Sequence, residues 1–137
     1  MSGELNLLKL SVGSESFDDV LGWMKHRREH GGMFHVTRMV PKRAEELLDG
    51  GSLFWVVKGQ VQARQPLADI DVFKSGDGIR RCRLVFSDLP VATRWQPRRP
   101  FQGWRYLEAK DAPPDLAAGE LALDPELREE LNTLGLL

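Results

Sequence analysis

The first apolar run of the chain, residues 5–12, reads Leu-Asn-Leu-Leu-Lys-Leu-Ser-Val. Hydrophobicity this continuous predicts a strand buried on both faces rather than an alternating one. Ser16 then opens a helix, with Asp19 three residues on in the relation of a capping box. Phe17, Val20, Leu21 and Met24 follow at i, i+3, i+4 and i+7, a stripe that faces a core. The last turn, from Lys25 to His30, is polar and basic, and Gly31-Gly32 stops it. Residues 33–40 predict a second strand, ended by Pro41, which suits the start of a short helix with Ala44, Leu47 and Leu48 inward.

Gly50-Gly51 ends that helix, and the pattern turns to strands. Leu53-Phe54-Trp55-Val56-Val57 is a continuous apolar stretch of central-strand type. Residues 60–64 alternate, with Val61 and Ala63 inward, and residues 68–73 read as a further extended segment. Ser75-Gly76-Asp77-Gly78 is a hairpin turn leading into a strand at 79–87. Residues 89–100 hold three prolines and no helical period, and a last strand is predicted over 103–107. After Pro113-Pro114, Asp124-Pro125 opens a terminal helix with Leu127, Leu131 and Leu134 on one stripe. Sequential short strands with two helices inserted early, and no βαβ alternation, predict α+β architecture. A small mixed, partly open β-barrel over 1–116 is expected, followed by an acidic tail over 117–137 whose helix packs on the domain.

Composition narrows the class. The chain has 137 residues, 42% apolar and 28% charged, enough for one domain and its core. No apolar run approaches the roughly 20 residues of a membrane span. The first ten residues carry Glu4 and Lys9 and no cleavage-site pattern, so a secretory leader and a membrane partner are not expected. One cysteine excludes an internal disulfide and fits a reducing, cytoplasmic setting. The net charge of −1 hides a segregation: residues 25–110 hold 17 Lys/Arg against 9 Asp/Glu, whereas residues 111–137 hold one arginine against seven acids. Residues 80–105 alone carry seven arginines against Asp88. Such asymmetry along a chain points to an anionic partner.

Candidate chemistry follows from those arginines. Arg94, Arg98, Arg99 and Arg105 interleave with Trp95, Phe101, Trp104 and Tyr106. Arginine forks bind phosphate oxygens bidentately, and aromatic faces stack on bases. Arg81 and Arg83 extend the charge on a strand face, with Arg38 and Lys42 as additions. The competing reading packs the aromatics into the core and pairs the arginines with acids. His26-Arg27-Arg28-Glu29-His30 spells the H-x-x-E-H of inverted zinc peptidases, and His35 is the one further imidazole. The glycines that end the helix at once, and the cationic flanks, favour a solvated basic helix end. Cys82 shares its strand face with Leu84 and Phe86 and not with Arg81 and Arg83, which predicts a buried structural thiol. No phosphate loop or serine-nucleophile signature is present, and neither a cofactor nor a metal is expected.

Phe34-His35-Val36-Thr37-Arg38-Met39, Leu48-Asp49-Gly50-Gly51-Ser52-Leu53, Gly78-Ile79-Arg80-Arg81-Cys82-Arg83 and the run from Gln96 to Tyr106 resemble a bacterial family described as domain of unknown function 1489. That resemblance spans most of residues 5–116 and implies no activity. The order of short helix, glycine and strand over Pro41 to Val57 is similar to the ASCH and PUA-like RNA-associated domains. This implies a PUA-like barrel and an RNA partner. Some ASCH proteins are amidohydrolases with a Lys-Thr pair after the glycine, but Ser52-Leu53 stands there, so no hydrolase chemistry carries over. The resulting expectation is a non-enzymatic RNA-binding module. Phosphates would meet Arg81, Arg83, Arg94, Arg98, Arg99 and Arg105, and bases would stack on Trp95, Trp104 and Tyr106. The alternative is a small enzyme or ligand-binding domain for a modified nucleotide or other phosphorylated small molecule.

Overall fold

A computed structural model of the protein describes residues 3–116. Seven strands and two helices follow in the order β1 (Leu5–Leu10), α1 (Phe17–Glu29), β2 (Phe34–Thr37), α2 (Ala44–Leu48), β3 (Ser52–Val57), β4 (Gln60–Lys74), β5 (Arg80–Phe86), β6 (Val91–Pro97) and β7 (Trp104–Glu108). All seven belong to one mixed sheet ordered β2-β5-β4-β3-β1-β7, with β6 also paired to β4. Among the described strands, only β1 and β3 pair in parallel. A parallel pair needs a crossover, and α1, β2 and α2 supply it. The architecture is α+β. The two ends of the strand order, β2 and β7, do not pair with each other, so the described residues form a mixed sheet that is not closed, which stops short of the small, partly open β-barrel expected. The predicted terminal helix and the acidic segment 117–137 lie outside the described residues.

Ser16 caps α1, accepting from the Asp19 amide at 3.3 Å, while Asp19 accepts from the Glu15 amide at 2.8 Å. Val20 and Met24 bury the helix stripe against the inward sheet face, together with Leu7, Leu53, Trp55, Leu84 and Phe86. Leu8, Phe54, Val56, Val61 and Leu107 form a second cluster on the opposite face. All six residues of β3 are buried, as its apolar run predicts. Gly51 has no substitute where α2 meets this sheet: a Cβ there would lie 2.3 Å from the Leu47 carbonyl and 2.4 Å from that of Leu5.

Two elements depart from expectation. The segments at 60–64 and 68–73 are a single strand, β4, that changes partner midway. Its first half pairs with β3 and its second with β5, and Pro66, which has no N–H to give, stands at the change. Residues 91–97, unassigned because of their prolines, form β6. The strand pairs with β4, with residues 114–116 bonded to Ala92 and Arg94, and Pro97 sits at its end, where a missing donor costs no ladder bond.

Candidate functional site

Strand alternation puts Leu5, Leu7 and Lys9 on the inward face of β1. Register then sets Lys9 opposite Trp55 of β3 and opposite Trp104 of β7. His35 of β2 reaches the same face, its ring edge-on to Trp55 with centroids 5.6 Å apart. Above these residues runs α1, presenting Val20, Trp23, Met24 and Arg27. The space between helix and sheet is an open cleft of about 400 Å³, entered beside the loop after β1. It lies at the carboxyl end of the one parallel strand pair, where the strands of α/β sheets commonly deliver ligand sites.

The electrostatics of the cleft are one-sided. Lys9, His26, Arg27 and His35 line it, and no carboxylate of the described residues does. Burial lowers the Lys9 pKa, and its ammonium makes one long contact, 3.5 Å to the Gly103 carbonyl. His35 is held at about 4, chiefly by burial and further by the charges of Lys9 and Arg27, so its imidazole is neutral at pH 7. The Arg27 guanidinium donates to the Phe34 carbonyl and lies 5.9 Å from the Phe34 ring centroid, tying the end of α1 to β2. Trp23 remains 44% exposed at the mouth. None of Lys9, Trp23 or Trp55 stood out in the sequence. The available signal was phase: Lys9 interrupts a strand whose other inward residues, Leu5 and Leu7, are fully apolar.

The arginines and aromatics expected to act together are distributed. Arg81 and Arg83 sit on β5 opposite Phe73 and Asp71, whereas Gln96 of β6 is opposite Val61. At about 3.3 Å per residue the two groups stand on the order of 30 Å apart along β4. Arg81 donates to Asp77 at 2.9 Å and to Ser75 Oγ at 3.0 Å. Hydrogen bonds from the Ser75 hydroxyl, Arg81 and the Ile79 amide hold the Asp77 carboxyl far below its usual range. Arg83 pairs with Asp71 at 2.9 Å and covers the Phe73 and Phe34 rings. Arg105 donates to the carbonyls of Gln102 and Trp104 and lies over Phe101. Arg99 is exposed.

Trp104 is a core residue, 6% exposed, donating its indole N–H to the Met39 carbonyl at 2.8 Å; its face is not open to a base. Tyr106 is partly exposed, but its hydroxyl accepts from the Lys42 and Arg43 amides at 3.1 and 3.2 Å and so serves the start of α2. A second, shallower cleft of about 500 Å³ does gather Arg94, Trp95, Arg98 and Lys110 beside Pro113 and Pro114. There Arg98 is oriented by Gln96 Oε1 at 2.7 Å.

His26 and His30 are exposed and stack on each other, centroids 4.2 Å apart, with His30 Nδ1 held 2.8 Å from the His26 carbonyl. No group of three His, Cys, Asp or Glu with metal-holding geometry occurs among the described residues. Cys82 is fully buried against the Met39 carbonyl at 3.5 Å, and burial raises its thiol pKa. No helix among the described residues is long and apolar enough to cross a membrane. No curated protein and no solved structure matches the chain. A family profile does match, over residues 7–137, and the chain therefore belongs to the family DUF1489, described as a protein of unknown function.

Proposed function

We propose that the cleft between α1 and the sheet binds a small anionic molecule with a flat apolar part, of the class of a nucleoside monophosphate or modified nucleotide. The observation that carries this reading is the combination, among the described residues, of basic side chains without a carboxylate and apolar walls that include Trp23 and Trp55. The volume is in the usual range of small-molecule sites, mostly apolar with a few convergent polar groups. Lys9 and Arg27 meet the phosphate, and Trp23 offers its exposed ring to the flat portion. Calorimetry and tryptophan fluorescence with a nucleoside 5′-monophosphate, the matching nucleoside and inorganic phosphate test this. The nucleotide binds more tightly than either half, and absence of binding by all three at millimolar concentration overturns the reading.

A second reading, an RNA-binding surface, is supported by the cleft of Arg94, Trp95, Arg98 and Lys110. There phosphates meet the arginines and one base stacks on Trp95. Affinity for a single-stranded RNA then falls with salt by about 0.7 log units per log unit for each phosphate neutralised, and replacing Arg98 and Arg99 by alanine flattens that slope by roughly one to two.

A further inference from the structure

We propose that Lys9 is a reactive amine that forms an imine with an aldehyde- or ketone-bearing anion seated in the α1 cleft; this rests on the cleft being a ligand site. The placement is unusual for a lysine. Lys9 lies inward, in register between Trp55 and Trp104, with no carboxylate partner among the described residues and a single long contact to the Gly103 carbonyl. Two described lysines that do form ion pairs, Lys58 with Glu15 and Lys110 with Glu108, form them at the surface. An amine in apolar surroundings beside other cations gives up its proton more readily, which is how nucleophilic lysines are activated. Burial already moves Lys9 in that direction.

The step balances without a further reactant. The neutral Lys9 nitrogen attacks the carbonyl carbon, a C–N bond forms, and the nitrogen sheds a proton. His35, unprotonated at neutral pH in the same cleft, is placed to accept that proton and return it to the carbinol oxygen. The nitrogen then gives up its second proton, which reaches the hydroxyl by the same route as the C–O bond breaks, so water leaves and the neutral imine remains. The competing account is a lysine whose stem packs on tryptophan while its head reaches solvent, with no special reactivity.

The test uses the full chain and pyridoxal 5′-phosphate, which combines an aldehyde, a flat ring and a phosphate. Brief exposure at pH 7.5, borohydride reduction and peptide mapping give a labelling rate for each lysine. Lys9 is labelled at least tenfold faster than the exposed Lys74 and Lys110, and the excess is lost in Lys9→Arg. Labelling of Lys9 no faster than at those two positions overturns the proposal. Pyridoxine 5′-phosphate, which has an alcohol in place of the aldehyde, is titrated in parallel. If it binds while Lys9 stays unlabelled, the imine proposal fails and the ligand site stands; if it does not bind, the ligand site itself fails. Because the wild-type chain supplies both readouts, the result does not depend on the folding of any variant.

Discussion

Two groups of basic residues among the described ones stand in contrast. Those on the outward face of the long strand β4 and its neighbour are neutralised where they stand: Arg64 makes a two-pronged pair with Asp115, Arg81 meets Asp77 and Arg83 meets Asp71. Those facing the α1 cleft are not. Lys9 has only a carbonyl at 3.5 Å, and Arg27 donates to a backbone carbonyl, with the neutral ring of His35 packed on Trp55 beside them. The first population holds strands in register. The second keeps a positive field in a partly dry space, at a cost to folding, which is the usual mark of a binding or catalytic site. Counting arginines along the chain therefore does not find the α1 cleft, since availability depends on where the acids fall after folding.

The largest expected effect separating the populations is on acid stability. His35 has its pKa lowered from 6.5 to about 4, so the unfolded chain binds this proton more readily than the folded one. Stability contributed by the neutral ring is complete above pH 6.5 and is lost as the pH falls toward about 4. At about 1.4 kcal/mol per pKa unit the loss reaches up to roughly 3 kcal/mol, reduced by screening because the ring is partly exposed. Urea midpoints between pH 7.5 and 4.5 should drop for the wild type and drop less for His35→Gln. Equal slopes would place His35 among the ordinary, solvated histidines.

Lys9→Met comes next. Removing a desolvated, unpartnered charge should raise stability by about 0.5–1 kcal/mol while weakening nucleotide binding at least tenfold. A variant that is destabilised and binds normally would move Lys9 into the structural population. Arg64→Ala reverses the pattern: it strips Asp115 and the Ser52 hydroxyl of a partner and should cost about 1 kcal/mol with unchanged nucleotide affinity. The smallest change is Arg83→Ala, whose pair with Asp71 is substantially exposed, so thermal denaturation should shift by no more than about 0.5 kcal/mol.

Much of the fold is legible in the chain because it is written locally. The Ser16 cap, the Val20 and Met24 stripe, the glycines closing α1 and the unbroken apolar run of β3 each carry their own signal. What is not legible depends on register. Nothing near Arg83 announces Asp71, and nothing near Arg64 announces Asp115; these pairs exist only once β4 lies between its partners. The same holds for Trp104, whose place beside Lys9 follows from the pairing of β1 with β7, and for Tyr106, whose hydroxyl serves amides sixty-odd residues away. The cleft is divided among α1, β1, β2 and β3, so no contiguous motif spells it. Its one sequence trace is a lysine in phase with buried leucines.

Where a ligand lands separates the two regions, and amide and indole NMR shifts report that for both at once. Titrating the protein with a nucleoside 5′-monophosphate should move the signals of Lys9, the Trp23 and Trp55 indoles and His35 together, with one saturation curve, while Trp95, Arg98 and Arg99 stay still. Shifts confined to Trp95 and the arginines of β6, with the α1 cleft silent, would contradict it.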